Sequence, residues 1–203
     1  MALVVVLAGC GGGDSKVSTS VAPAPRPTQG AAPWPAPPDP LRRIRLAGLR
    51  PEYREFLSYH VHAHLDVFVN GHEEPVPAGI GIEIRDPGVR RSVDENGRPV
   101  YGGISRCARP CISPLHTHDD SGILHTESAS AVPNRLGQFF TEWGVRLTRS
   151  CVGGYCRPDS IQIFVNGKRY KQNPRAIKLT NLKEIAIVIG TPPRKIPSEF
   201  PKA

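Results

Sequence analysis

The sequence predicts a mainly β fold of the α+β class: a compact β domain with two strand-turn units and one or two short helices. Apolar and polar residues alternate over residues 59–69, and the same pattern returns over 161–167. Each stretch ends in Asn-Gly, which favours a tight turn. Successive side chains of a strand point to opposite faces, so a period of two indicates a half-buried strand. Residues 134–144 instead show the spacing of an amphipathic helix.

The chain begins with a short apolar run that ends in Leu7-Ala8-Gly9-Cys10. A membrane-spanning helix needs about 20 apolar residues, so this run is typical of a secretory signal segment instead. Its last four residues resemble the lipobox of bacterial lipoproteins, in which the cysteine is lipidated. We therefore expect a signal segment over 1–9, a lipid anchor at Cys10, and an extracytoplasmic location on the bacterial membrane or envelope. No Lys or Arg precedes the run, so we expect the true start site further upstream.

Residues 10–40 are rich in Pro, Gly, Ser and Ala and show no apolar periodicity. Such a composition cannot bury enough surface to fold, which predicts a disordered, lipid-anchored tether. The folded β-rich domain then covers 41–203. If the two strand-turn units are repeats, it divides into similar halves of about 49–130 and 131–192.

The formal net charge of +8 indicates a basic surface that would attract anionic envelope polymers. Nucleic-acid binding would require aromatic residues interleaved with the basic ones, and only 6% of the residues are aromatic. We therefore expect no nucleic-acid partner. The composition indicates no particular oligomeric state.

Four cysteines follow the candidate lipidation site: Cys107, Cys111, Cys151 and Cys156. An even number outside the cytosol favours two disulfides, with three connectivities open. A zinc site made of all four is the alternative, although neither pair has the usual two-residue separation. The spacing of the first pair is also similar to that of the copper-binding pair in some copper-delivery proteins.

Residues 49–57 predict a short helix, because Pro51 suits a first helical turn and an apolar stripe follows. The strand after it ends at Asn70-Gly71. Its last five residues, Val-Phe-Val-Asn-Gly, nearly match Ile-Phe-Val-Asn-Gly at 163–167. The second copy lacks the histidines of the first, so the strand-turn unit does not itself require them.

The helix predicted over 134–144 has a stripe of four apolar residues, a cap at Asn134 and an end at Gly144. Residues 176–179 and 185–189 are both typical of strands. An irregular proline-containing tail follows them.

Five of the seven histidines lie in two short segments, and the hairpin strand after the second contributes another. The candidate metal ligands are His60, His62 and His64 in the first segment, His116 and His118 in the second, and His125 on that strand. The three in the first segment share one strand face. His60 and His64 are about 13 Å apart along an extended strand, so at most two neighbours can bind one ion. His72 follows a turn and is expected to be a solvated loop residue.

The segment 115–127 predicts a hairpin, with turn residues at 119–122. An even loop places His116 opposite His125 and His118 opposite Ile123. Opposed residues have Cβ atoms roughly 5 Å apart, so three imidazoles would converge within reach of one zinc or copper ion. The carboxylates expected to orient these rings are Asp66, Asp119, Asp120 and Glu127.

The leading hypothesis is a lipid-anchored cell-envelope protein that binds zinc or copper through this histidine cluster. One alternative is a metal-dependent enzyme that activates water, with Glu127 or Asp120 as general base. The second is an envelope interaction module without a metal. A lone His-x-His pair would be explained more simply by half-exposed histidines hydrogen-bonded to carboxylates, but the combination of segments favours a metal.

Three segments, Tyr59–Leu65, Leu115–Glu127 and Phe164–Lys168, carry a further resemblance. They resemble a group of bacterial secreted proteins and lipoproteins that share the patterns YHxHAHL, LHTHDxSGxxHxE and FVNGK. The resemblance covers most of residues 59–190. It supports the grouping with those proteins and brings no established activity.

Overall fold

The computed structural model describes Met1, residues 26–157 and residues 160–202. The expected signal segment, Cys10 and the expected tether up to residue 25 lie outside the described residues. The rest of the expected tether packs on the domain: Thr28 forms a bridge with Val145, and Trp34 is buried in the core, so the folded part begins before residue 41. Within the described ranges, no helix combines the length and the apolar character needed to cross a membrane.

Most of the regular structure is β, which confirms the predicted fold class. The strands are β1 (Tyr59–Val69), β2 (His72–Glu74), β3 (Arg90–Val93), β4 (Pro99–Gly102), β5 (Leu115–His116), β6 (Ile123–Ser128), β7 (Cys151–Val152), β8 (Tyr155–Cys156), β9 (Ile161–Val165), β10 (Lys168–Tyr170) and β11 (Lys183–Ile189). The helices are α1 (Pro40–Leu46) and α2 (Leu136–Trp143), with a 3-10 turn at Pro174–Ala176.

One seven-stranded sheet organises the chain, in the order β10-β9-β11-β1-β6-β5, with β2 paired to the end of β1. β1 and β11 run parallel, and the other pairs in this sheet are antiparallel. The two Asn-Gly hairpins, β1-β2 and β9-β10, therefore lie in the same sheet on either side of β11. β3-β4 and β7-β8 form two small separate hairpins.

The core lies between one face of this sheet and α2. Ala63, Leu65 and Val67 of β1 are buried on that face, as the alternation predicts. Phe139 and Phe140 of α2 are fully buried against them in the same cluster. Burial of this apolar surface is the main force that holds helix and sheet together.

Helix α2 confirms the predicted amphipathic helix, and Gly144 ends it with a left-handed φ of 77°. The predicted cap is wrong: Arg135 occupies that position. Asn134 instead donates from its side-chain amide to the carbonyl of Pro114 and to Thr126 Oγ1. It therefore ties the start of the helix to the β5-β6 hairpin.

Both Asn-Gly turns are confirmed by positive φ angles, 51° and 84° at Asn70 and Gly71, and 49° and 71° at Asn166 and Gly167. Each asparagine side chain also accepts a hydrogen bond from a backbone N–H at one end of β11, from Glu184 for Asn166 and from Thr191 for Asn70. The turns thus hold both hairpins against the strand between them.

Two predicted elements are wrong. Residues 49–57 form no helix and are irregular, with an isolated bridge in which Glu52 pairs through backbone hydrogen bonds with Ile112. The first helix is α1, which starts inside the expected tether and buries Ile44 completely. Residues 176–179 form no strand, and only Lys178 makes an isolated bridge, to Arg135.

The four described cysteines form two local disulfides, Cys107–Cys111 and Cys151–Cys156. This connectivity confirms the predicted pairing into two disulfides. Because every one of these sulfur atoms is oxidised, the alternative of a four-cysteine zinc site is wrong.

The α2 stripe gives a direct test of this packing. Phe139→Ala should lower the free energy of unfolding by about 3–5 kcal/mol, since it removes a fully buried ring and leaves a cavity. Urea denaturation followed by tryptophan fluorescence measures this change. Val132→Ala is the control, because that side chain is 66% exposed and its loss should cost less than about 0.5 kcal/mol. Equal losses for the two variants would contradict the assigned core.

Candidate metal centre

The strand register aligns histidines from three neighbouring strands. β1 and β6 pair so that His62 lies opposite His125, and β6 and β5 pair so that His116 lies opposite His125. The predicted cross-strand pair of His116 and His125 is therefore confirmed. Two residues further along the same pair of strands, His60 of β1 lies opposite Glu127 of β6. The register alone thus places three imidazoles in one row with a carboxylate beside them.

His118 does not pair with Ile123, so that part of the predicted hairpin is wrong. β5 ends at His116, and Ile123 lies opposite His64 on β1 instead. The Ile123 end of β6 pairs with β1, so His118 lies outside the pairing between β5 and β6.

Strand β4 positions His118 instead. The backbone N–H of Tyr101 donates to the carbonyl of His118, and Nδ1 of His118 donates to the carbonyl of Tyr101. These two bonds turn the ring back toward the row, with its centre 4.4 Å from that of His125. His118 thus joins the cluster as predicted, but it is positioned by β4, a strand that no local sequence pattern linked to it.

The Nε2 atoms of His116 and His118 face each other. They are 3.3 Å apart. Nδ1 of His116 contacts the carbonyl of Ser113 at 2.9 Å, and Nδ1 of His118 contacts that of Tyr101, so both Nδ1 atoms must carry the proton. Both Nε2 lone pairs consequently point at a common position. Tetrahedral zinc with bonds of about 2.05 Å places two nitrogens roughly 3.3 Å apart, which matches the spacing.

Glu127 completes a group of four donors with His116, His118 and His125, whose ligand atoms all lie within 4.8 Å of one another. The Glu127 side chain is 4% exposed. Its Oε1 lies 3.3 Å from His125 Nδ1, whereas Oε2 lies 3.9 Å from His116 Nε2 and has no hydrogen-bond partner among the described residues. A buried carboxylate oxygen without a partner costs free energy, and a cation beside it would remove that cost.

A second group consists of His60, His62 and the same His125. The Nε2 atoms of His60 and His62 are 2.9 Å apart, and Nε2 of His60 lies 3.1 Å from Oε1 of Glu127. His60 is 36% exposed, so this side of the cluster opens to solvent. We call His60, His62, His116, His118, His125 and Glu127 together the histidine cluster.

Three rings of the histidine cluster, those of His62, His116 and His125, are held neutral by lowered pKa values. Burial, followed by the neighbouring rings, lowers the pKa of His62 to about 4. Burial also lowers the pKa of His125, and that of His116 well below its ordinary value. Burial would raise the pKa of Glu127, but its hydrogen bond with His125 and the charges of nearby rings lower it to about 2. Neutral imidazoles beside an ionised carboxylate are the form that binds a metal.

His64 lies on the same strand face but belongs to a separate group with Asp66 and Glu184. Its Nδ1 lies 2.8 Å from Glu184 Oε2, and its Nε2 lies 2.8 Å from the carbonyl of Ser121. Both partners accept, so both ring nitrogens carry protons and the ring is an imidazolium. Burial lowers its pKa, but the Glu184 hydrogen bond and the acidic neighbours outweigh this effect and raise it. His64 therefore acts as a buried cation here, apart from the histidine cluster.

Asp66 shares that environment. Burial, assisted by a hydrogen bond to Glu184, raises its pKa to about 7. Asp66 also lies 3.5 Å from His64 Nδ1, so it contacts one predicted histidine.

The other two predicted orienting carboxylates lie elsewhere. Asp119 accepts hydrogen bonds from the backbone and hydroxyl of Ser121, and Asp120 pairs with Arg98 at 3.2 Å. Neither has a histidine partner in the described part of the chain. Local turn chemistry holds Asp119, and an exposed arginine holds Asp120. His72 is exposed as expected, although it lies in β2 rather than in a loop.

Several residues of the site had no signal in the sequence. Glu55 approaches His118, with Oε1 at 3.9 Å from Nε2, and Tyr101 and Ser113 supply the carbonyls that fix two rings. Tyr101 and Ser113 come from segments far from the histidines of β1, and backbone carbonyls carry no residue preference that a pattern could indicate.

A buried acid lies behind this arrangement. Glu142 of α2 is 1% exposed and accepts a hydrogen bond from the hydroxyl of Ser113, whose carbonyl holds His116. Its Oε2 has no hydrogen-bond partner among the described residues. Burial raises the pKa of Glu142 well above its ordinary value.

No family model, curated protein or solved structure matches this chain. The histidine cluster is therefore interpreted from its own geometry and chemistry.

Glu142 makes stability depend on pH. Its folded-state pKa is raised, so the stabilisation from its proton is complete below the unfolded pKa of about 4.5 and is lost as pH rises through the folded-state value. Glu142→Gln lacks this titration. Its free energy of unfolding should match that of the wild type near pH 4 and then exceed it, with the gap widening by up to ~1.4 kcal/mol per pH unit.

Denaturation curves at a series of pH values measure this gap. Glu95→Gln is the matched control, because Glu95 is exposed and its variant should follow the wild type throughout. A Glu142→Gln curve that runs parallel to the wild-type curve would contradict the buried neutral acid.

Proposed function

We propose that this protein binds one zinc or copper ion through His116, His118, His125 and Glu127. The observation that carries the proposal is the pair of facing Nε2 atoms of His116 and His118. Nδ1 of each ring donates its proton to a backbone carbonyl, so the Nε2 lone pairs of both rings point at one position. One cation at this position would accept both lone pairs.

The ligand types support a transition metal over magnesium or calcium. Three imidazole nitrogens and one carboxylate oxygen suit zinc or copper, whereas the harder cations prefer oxygen ligands throughout. Carbonyl hydrogen bonds to the far nitrogens of His116 and His118 orient those two rings, as in established metal sites.

The alternatives to a metal fit less well. Half-exposed histidines hydrogen-bonded to carboxylates would not need His116, which is fully buried and lies 3.9 Å from its nearest carboxylate. An interaction module without a metal would present its rings on an open surface. In this cluster His116 and Glu127 are instead buried, and His62, His118 and His125 are half-buried.

Binding is favoured over catalysis at this ion. Three histidines and Glu127 supply four protein ligands, which fill a tetrahedral shell and leave no vacant position for a reacting water. Glu127 then serves as a ligand and is not free to act as the general base. Asp120 is paired with Arg98.

We also propose that the domain is carried on the bacterial envelope by lipidated Cys10. The support is the Leu-Ala-Gly-Cys segment and the Gly-, Ser- and Pro-rich composition of the residues that follow it. The basic surface would hold the domain near anionic envelope polymers.

The metal proposal predicts that the double variant His116→Ala/His118→Ala loses tight zinc or copper binding, with affinity at least about 100-fold weaker because two of four ligands are gone. Isothermal titration of the untagged chain measures the affinity. Metal at about 100 times its Kd should also stabilise the wild type by ~2.7 kcal/mol, which thermal unfolding detects.

His72→Ala is the matched control for this variant, since it removes an exposed histidine outside the cluster. It should bind as the wild type does. Unchanged binding in the double variant, or absence of binding in the wild type near neutral pH, would overturn the proposal.

The anchor proposal predicts that Cys10→Ser moves the full chain, expressed in a bacterial host, from the detergent-soluble membrane fraction to the aqueous fraction. A wash at high salt before detergent extraction separates a lipid anchor from electrostatic adhesion of a chain with net charge +8. A variant that stays with the membrane after the wash would contradict lipidation at this cysteine.

A further inference from the structure

We propose that the histidine cluster is a binuclear centre: a second cation binds at His60 and His62, and Glu127 bridges it to the first. This inference rests on the proposed function for the first ion. It assigns to the exposed side of the cluster a second site of the same chemistry.

The rings around His125 are arranged with an approximate local symmetry. His62 and His118 both lie edge-on to His125, with ring centres at 4.4 Å in each case and interplanar angles of 68° and 71°. His60 and His116 both stack on His125, at 6.2 and 5.4 Å. The pair His60/His62 therefore repeats around His125 the arrangement of the pair His116/His118.

The two pairs also have similar distances between their ligand atoms. Nε2 meets Nε2 at 2.9 Å in the first pair and at 3.3 Å in the second. With metal–nitrogen bonds of about 2.05 Å, these separations correspond to ligand angles of roughly 90° and 107° at a bound ion. Both angles are ordinary for zinc and copper sites.

One ion cannot serve both pairs. Ligands of the same ion with bonds of about 2.0–2.1 Å lie at most roughly 4.2 Å apart. The ligand atoms within 4.8 Å of one another form two groups, one with His116 and His118 and one with His60 and His62, and His125 is the only residue in both. Two pairs of donors on either side of a shared ring therefore require two cations.

Glu127 is placed to bridge them. Its Oε1 lies 3.1 Å from Nε2 of His60, and its Oε2 lies 3.9 Å from Nε2 of His116. Each oxygen thus lies beside one histidine of a different pair. A bridging carboxylate suits metal–metal separations of about 3.5–4 Å, as in known two-metal sites. The bridge also accounts for Oε2, the buried oxygen that lacks a partner.

The two ions would differ in exposure. His116 is fully buried, whereas His60 is 36% exposed. The ion held by His60 and His62 has fewer protein ligands and a side open to water, so it binds more weakly and exchanges faster. Its remaining position is available to water or to a small anion.

Metal counting on the full untagged chain tests the inference. After equilibrium dialysis against Cu(II), we expect two ions per chain in the wild type and in the control His72→Ala. His60→Ala/His62→Ala should retain one tightly bound ion. A second variant, His62→Gln, changes a single half-buried ring and should also bind one, which guards against misfolding of the double variant.

Electron paramagnetic resonance of the same samples supplies an independent readout. Two Cu(II) ions about 4 Å apart couple magnetically, so the wild type should show a broadened, coupled spectrum. Both variants of the His60/His62 pair should show the spectrum of an isolated ion.

One ion per chain with no coupling, and no effect of His60→Ala/His62→Ala, would overturn the binuclear centre and leave the proposed function intact. Two ions without coupling would overturn it as well, because the second ion would lie outside the cluster. Absence of any binding would overturn both proposals together.

Discussion

The register between β1 and β6 is the constraint on which the histidine cluster depends. Ala63 of β1 lies opposite Leu124 of β6, and both are fully buried on the core face. A slip of one residue would move every side chain of a strand to the other face, so the core permits only this alignment. The same alignment places His62 opposite His125 on the reverse face. Packing of the apolar face thus positions the imidazoles on the polar one.

Two histidines on β1, two residues apart on the same face, have opposite electrostatic character. His62 is surrounded by other rings, and burial among them lowers its pKa to about 4. His64 contacts Glu184 at 2.8 Å and is held as a cation. The residue type and the strand face are the same for both. The side chains that neighbouring strands place beside each ring therefore determine whether the ring is neutral or charged. The polar face of the sheet therefore contains an ion pair and a neutral ligand set side by side.

Local patterns predicted the features whose partners are close in sequence: the two Asn-Gly turns, helix α2 and the pairing of His116 with His125. Predictions from the sequence were wrong where a segment distant in the chain determines the local structure. Ile112 draws Glu52 into an extended bridge where a helix was expected, and Tyr101 turns His118 out of the predicted hairpin. The pairing of β1 with β6 was not predicted, since no local signal specifies which strands of a sheet become neighbours.

The parallel pairing of β1 with β11 has a consequence for how the chain is made. His64 and Glu184 lie 120 residues apart in sequence yet are hydrogen-bonded in the middle of the sheet. Closing so long a loop is entropically costly, and folds dominated by such distant pairings form slowly. Until β11 has emerged, one edge of the histidine strand stays unpaired. His64 likewise lacks the carboxylate of Glu184 until then, so the buried ion pair on the polar face of the sheet forms only after nearly the whole chain has been made.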